Sequence, residues 1–352
     1  MTQRLKAVRT DKELECPQID AGLQAMGYDL TILPDTVSED ELVAEVTDAD
    51  ILLMCYTPIT KRVIEAATKL KGIVKYGVGI DAIDIDAAKA HGIPVVNIPE
   101  YAEETVAEGA FTLMIALAKK LIPLDRAMKE QGWVWPTSQW LGSDIAGKTV
   151  GLVGCGKIGR SMARMAGAGF RAKILGYDPH VDAATLHKAG IEKQGNLCDM
   201  LSQCDFVSIH CVLNSQTHHL IGAGELARMK PTAFLINVSR GALVDETALV
   251  AALRKNRIAG AGLDVYSREP VTRNGHLMSA LYDMDNVILM PHLTFYTHEA
   301  MQRLEEDTLA RCKEIRAGKP VLIKSGDPRL TSQNSGVVFT AQVSTNKKRE
   351  IP

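Results

Sequence analysis

The chain has 352 residues, a formal net charge of −2, 46% hydrophobic and 23% charged residues. That suits about two domains of roughly 100–200 residues each, and the balance leaves no electrostatic case for a nucleic-acid or anionic-membrane partner. The opening "MTQRLKAVRTDKELEC" lacks a signal-peptide core and no apolar stretch is long enough to span a bilayer. The seven scattered cysteines form no C-x-x-C pair, which argues against zinc or disulfide frameworks and for a reduced, cytoplasmic protein without a metal site.

In chain order, short β-branched runs alternate with helical patterns. The runs "LKAVR", "LTIL", "ILLMCY", "GIVKYG" and "PVVNI" occupy the first hundred residues, with helices such as "SEDELVAEVTDA" between them and Ser38 as its N-cap. A long helix is expected from about Glu103 to Leu121. Six more strands follow: "KTVGLVG", "AKILGYD", "FVSIHC", "AFLINV", "GAGLDV" and "NVILMPH". Alternation of this kind predicts an α/β protein with parallel, doubly wound sheets. After Lys324 the pattern fades into a polar tail, 326–352, expected to be loosely ordered.

The ends of the first two of these six strands belong together. Gly154-Cys155-Gly156-Lys157-Ile158-Gly159 follows an apolar strand and opens a helix, the context a dinucleotide-binding loop requires. Gly154 permits a tight turn, Gly156 a close approach of the backbone to a pyrophosphate, and Gly159 close helix–strand packing. The helix opening at Lys157 and Ile158 supplies free N–H groups. Asp178 ends the next strand, 19 residues beyond Gly159, where a ribose-binding acid is expected. With Pro179 and His180 after it and no arginine to receive a 2′-phosphate, NAD is favoured over NADP. S-adenosylmethionine sites use a similar loop and acid, so the motif alone leaves the cofactor open.

Ligands of open α/β sheets bind beyond the carboxyl ends of the strands. Arg240 follows "FLINVS", Asp264 and Glu269 follow "GAGL", and His292 follows "NVILMP", where Pro291 forces Met290 to be extended. Each is unremarkable alone. Together they fit hydride transfer to a 2-keto acid: a cation to hold the carboxylate and polarise the carbonyl, and an acid to protonate the new alkoxide. A carboxylate beside the histidine stabilises its charged form.

The glycine loop, "NVSRGALVDETAL", "GLDVYSREP" and "MPH", in this order and spacing, resemble the D-isomer-specific 2-hydroxyacid dehydrogenase family over roughly residues 50 to 320. The resemblance implies a Rossmann cofactor domain, 104–293, inserted into a flavodoxin-like substrate domain made of 1–103 and 294–325. It implies Arg240 as the substrate-holding residue, His292 as general acid/base and Glu269 as its partner. Asp264 is implied to contact the nicotinamide amide, with Thr105 and Val238 near the cofactor. "KYGVGIDAID" matches the family's substrate loop, so Tyr76, Gly77, Val78 and Gly79 are implied to border the substrate, Val78 and Gly79 through backbone N–H groups; without the resemblance this loop reads equally well as a plain strand-to-helix turn. Phe295 and Tyr296, in "HLTFYT", resemble the D-lactate dehydrogenase branch, and Tyr296 is implied to border the substrate; alternatively both aromatics pack the domain hinge. Tyr76 and Ala82 depart from the family pattern and put the substrate's identity in doubt while leaving the reaction type untouched.

The implied partner is a small 2-keto or 2-hydroxy acid, and the implied assembly a homodimer formed near the helix at 103–121 and "EQGWVWPTSQW". There Trp133, Trp135 and Trp140 are either interface anchors or core. The short tail leaves no room for an additional regulatory domain. Two other readings stand beside this one. The first is an NAD-sensing corepressor on the same fold, for which no peptide-binding cue is present. The second is a dehydrogenase for a small anion such as formate or phosphite, opposed by Glu269, since the formate enzymes carry glutamine there.

Overall fold

We describe residues 5–340 of a computed structural model of the chain. It divides into two compact units, one formed by residues up to Ala102 and from Thr297 onward, the other by Glu103–Tyr296.

The first unit is built on β1 (Leu5–Arg9), β2 (Tyr28–Ile32), β3 (Ile51–Met54), β4 (Ile73–Lys75) and β5 (Val95–Asn97). The strands are all parallel, in the order β2-β1-β3-β4-β5, a flavodoxin-like winding. Every residue of β3 is buried, which is why it reads as an uninterrupted apolar run: helices cover both faces of a parallel sheet. Ser38 caps the helix Glu39–Val46, its hydroxyl accepting from the Glu41 N–H while Glu41 returns to the Ser38 N–H. The chain returns to this unit through the helix His298–Arg316. Glu305, buried on that helix, accepts the N–H groups of Gln18 and Ile19 at 2.7 and 3.0 Å and so closes the free end of the helix Pro17–Ala25.

The second unit is a seven-stranded parallel sheet. Its strands are β6 (Thr149–Val153), β7 (Lys173–Tyr177), β8 (Glu192–Lys193), β9 (Phe206–Ile209), β10 (Phe234–Asn237), β11 (Gly260–Leu263) and β12 (Val287–Leu289). The order is β12-β11-β10-β9-β6-β7-β8, with the direction of winding reversing between β6 and β9. Apolar clusters fill both faces, one around Leu235, Leu249 and Met200 and the other around Leu152, Met114 and Phe206.

Three sequence expectations change. The edge strand β8 is new: two polar residues carry no apolar signal, and only pairing with Leu175 and Gly176 defines it. The long helix stops at Ala118 and restarts at Leu121, because Lys120 takes a left-handed φ of 50°. The tail expected to be loose is ordered as far as residue 340. β13 (Val321–Ile323) pairs with β14 (Val337–Phe339), and the buried Gln333 hydrogen-bonds both backbone groups of Val95. Residues 341–352 lie outside the described residues.

Candidate active site

The turn after β6 is shaped by glycines whose absence of a side chain the fold uses. A Cβ on Gly159 would lie 2.4 Å from the Gly154 carbonyl oxygen, so only glycine lets the helix Lys157–Ala163 start against the strand. At Gly156 a Cβ would project into open space, leaving the backbone there bare for a phosphate group, as dinucleotide binding demands. Asp178, just past β7, is fixed to this loop. Its Oδ2 accepts the Cys155 N–H at 2.9 Å, and its Oδ1 accepts the N–H groups of His180 and Val181 at 2.8 and 3.2 Å. Lys157 pairs with Glu103 at 2.9 Å, and Ile158 packs at the rim of the core. Burial pushes the Cys155 thiol up to about 12 and Cys211 up to about 11, so neither is a thiolate beside the loop. The residues present thus fit an NAD-type dinucleotide.

Three strand ends of the same sheet bring the charged residues together. His292 Nδ1 lies 2.8 Å from Glu269 Oε2, and Glu269 Oε1 accepts the Tyr266 N–H at 2.8 Å. Burial alone would raise the Glu269 carboxyl. The hydrogen bond and charge of His292, the Tyr266 N–H and the charge of Arg240 outweigh that and hold it below the usual glutamate value. Glu269 is therefore a carboxylate, and Arg240 is near enough to be felt by it. The Arg240 backbone is set by Asn237, which donates to its carbonyl at 2.9 Å and accepts the Ser239 N–H at 3.1 Å. Gly241 then lies flat on the next strand end: a Cβ would sit 1.9 Å from the Tyr266 carbonyl carbon.

His292 has a φ of 61°, a left-handed conformation that costs a side-chain-bearing residue about 1–3 kcal/mol and persists only when its surroundings enforce it. Asp264 supplies part of the enforcement. It is fully buried, Oδ1 accepting the Leu293 N–H at 2.8 Å and Oδ2 the Thr294 N–H at 3.0 Å and hydroxyl at 2.6 Å. The carboxylate, which the resemblance implies to contact the nicotinamide, is engaged by the loop that carries His292. Phe295 is buried edge-on to the His292 ring, with centroids 6.4 Å apart, and Tyr296 beside it is exposed. Thr105 is buried in the first turn of the helix Glu103–Ala118, and Val238 is buried just past β10.

In the other unit, the loop after β4 holds Gly77, Val78 and Gly79. Val78 is exposed, and its carbonyl accepts from Asn97 Nδ2 at 2.6 Å. The Tyr76 side chain is a correction to the expected substrate contact. Its ring is fully buried, its hydroxyl donates to the Thr10 carbonyl at 2.5 Å and accepts from Arg9 at 3.3 Å, and only its backbone belongs to the loop. Sequence reasoning also passed over Asn97, Asn237, Tyr266 and Thr294. The first two end strands, "PVVN" and "FLIN", so the strand-end rule already contained the signal for them.

The chain matches the D-isomer specific 2-hydroxyacid dehydrogenase NAD-binding domain over residues 111–294. It is 40% identical to a glyoxylate reductase of Korarchaeum cryptofilum over 76% of this chain and 80% of that protein. It is 38% identical to a D-3-phosphoglycerate dehydrogenase of Synechocystis sp. over 84% of this chain, but spans only 52% of that relative. In structure it resembles D-lactate dehydrogenase from Aquifex aeolicus in complex with NAD and lactic acid. The TM-score is 0.79 at 28% identity, over 89% of this chain and 96% of that one.

Proposed function

We propose that this chain, which belongs to the D-isomer specific 2-hydroxyacid dehydrogenase family, interconverts a D-2-hydroxy acid and its 2-keto acid with NAD as the redox partner. The observation that carries the reading is the His292–Glu269 pair at 2.8 Å, with the charge of Arg240 acting on the same carboxylate. When bound, the nicotinamide supplies or accepts the hydride. Arg240 holds the substrate carboxylate and polarises the carbonyl. With Nδ1 held by Glu269, Nε2 of His292 gives its proton to the carbonyl oxygen in reduction and takes it back in oxidation. Glu269, itself kept ionised, orients the ring and stabilises the imidazolium. For Val78 and Gly79 we propose carboxylate binding through backbone N–H groups, supported by the Asn97 hydrogen bond that fixes the Val78 carbonyl.

Trp133 and Trp135 are 63% and 74% exposed and meet edge to face with ring centroids 6.3 Å apart; this exposed aromatic pair supports a homodimer. All seven cysteines are unpaired thiols, in keeping with a cytoplasmic setting. Among the described residues no helix is long and apolar enough to cross a membrane.

The test is a panel of 2-keto acids with NADH, glyoxylate and pyruvate first, for wild type and His292→Ala. Turnover by the wild type and a loss on the order of 10²–10⁴-fold in kcat for the variant are expected. A variant that turns over at the wild-type rate removes His292 from the chemistry.

A further inference from the structure

We infer that the segment Asp264–Glu269 is a bracket that sets the position of His292, and that the hydroxyl of Tyr266 is a positioning residue within it. The inference rests on His292 being the acid/base. The left-handed turn at His292 needs holding on both sides. On the side that follows, Asp264 takes the Leu293 and Thr294 N–H groups and the Thr294 hydroxyl. On the side that precedes, the Tyr266 hydroxyl donates to the Met290 carbonyl at 2.9 Å, and the Met290 N–H donates to the Leu263 carbonyl at 2.8 Å. One residue separates Met290 from His292, and that residue is Pro291 with its fixed φ. A shift of the Met290 carbonyl is therefore passed on to His292 with little slack.

Tyr266 touches the other partner too. Its backbone N–H donates to Glu269 Oε1, while Glu269 Oε2 faces His292. The same residue thus fixes the carboxylate with its main chain and the strand end bearing the imidazole with its side chain. Its backbone is in turn the surface on which Gly241, next to Arg240, lies. Burial pushes the Tyr266 hydroxyl well up from its usual value, so it stays a donor to Met290 throughout the working pH range. A phenylalanine would fill the same space and keep the backbone bond to Glu269, but it would lose the hold on Met290.

The variant Tyr266→Phe removes the hydroxyl and keeps the ring. Reduction of the best keto acid should fall about 5- to 20-fold in kcat, since small displacements of a reacting group cost up to about 10²-fold. KM for NADH should stay within twofold, and the pH limb of kcat/KM should move to lower pH as the pair loosens. In a Glu269→Gln background the same change should cost much less, because both act through His292. Thr294→Val should lose activity in the same way and Thr294→Ser, which keeps the donor to Asp264, should restore it. A Tyr266→Phe enzyme with wild-type kcat and pH profile, or losses that multiply fully with Glu269→Gln, overturns the bracket while His292→Ala remains inactive. If His292→Ala is itself active, the reading beneath the bracket fails, and the bracket with it.

Discussion

Glu269 shares its two oxygens between a side chain and a backbone: Oε2 lies 2.8 Å from Nδ1 of His292, and Oε1 accepts the N–H of Tyr266 at the same distance. The carboxyl, held below its ordinary value by His292, Tyr266 and Arg240 against the cost of burial, stays ionised at neutral pH. Glu269 thus presents a negative charge to the His292 ring. Reduction needs imidazolium and fails above its titration; oxidation needs neutral imidazole and fails below it. Glu269→Gln keeps the shape and one acceptor but removes the charge. Both limbs should therefore move toward lower pH, with KM for NADH unchanged. Profiles of kcat/KM against pH in both directions check this, and limbs that stay in place would show that the pair is not coupled.

The Arg240 backbone is positioned by Asn237 and by the glycine contact that follows it, and its Nη1 donates to the Ser239 carbonyl at 2.7 Å. Arg240→Lys retains one positive charge and loses the fork that matches a carboxylate. KM for the keto acid should rise at least about tenfold, equivalent to about 1.4 kcal/mol, with little change for NADH. Steady-state kinetics with each substrate varied in turn give the answer; an unaltered KM for the keto acid would remove Arg240 from substrate binding.

The parts of this arrangement that the sequence displays are those with a local cause. β3 is buried on both faces and reads as a solid apolar run; Ser38 caps its helix through a bond three residues away. Arg240, Glu269 and His292 are visible because each follows a strand, and parallel strands point their ends the same way. What escaped depends on partners distant in sequence. Tyr76 reads as a loop aromatic, but Arg9 and Thr10, more than sixty residues earlier, draw its hydroxyl inward. Asp264 is visible as an acid at a strand end, whereas its engagement by Thr294 needs the fold. The order of residues 326–340 comes from pairing with β13 and from Gln333 at β5, neither of which leaves a periodic trace.

Asp178 is held by three backbone N–H groups, that of Cys155 on the glycine loop and those of His180 and Val181 in the turn that follows it, which fixes a negative charge where a ribose is expected. A 2′-phosphate there meets a carboxylate that cannot swing away without giving up those bonds. NADH should exceed NADPH in kcat/KM by at least about tenfold, for which about 1.4 kcal/mol of repulsion suffices. Asp178→Asn removes the charge and keeps an acceptor, and should narrow the ratio mainly by improving NADPH. Equal efficiency of the two cofactors with the wild type would contradict the assignment of Asp178.

Gln333 offers a test of the C-terminal segment that is independent of the chemistry. Its amide satisfies both polar groups of Val95, accepting the N–H at 2.8 Å and donating to the carbonyl at 2.9 Å, and it donates to Leu330 as well. Val95 opens β5, whose other backbone bonds run to β4, so this edge has Gln333 where a neighbouring strand would otherwise lie. Gln333→Ala leaves a buried N–H and carbonyl without these partners, at a cost of about 1–3 kcal/mol. Leucine in the same place would fill the volume yet leave the same groups unsatisfied, so Gln333→Leu should be destabilised too, whereas Gln333→Glu should keep an acceptor for the N–H and lose the donor. Equilibrium denaturation should show the midpoint falling for the first two variants, with kcat at 25 °C within twofold of wild type because Gln333 carries no charge to the reaction. Unchanged stability in both Gln333→Ala and Gln333→Leu would mean that the Gln333 hydrogen bonds to Val95 contribute nothing to the stability of this unit.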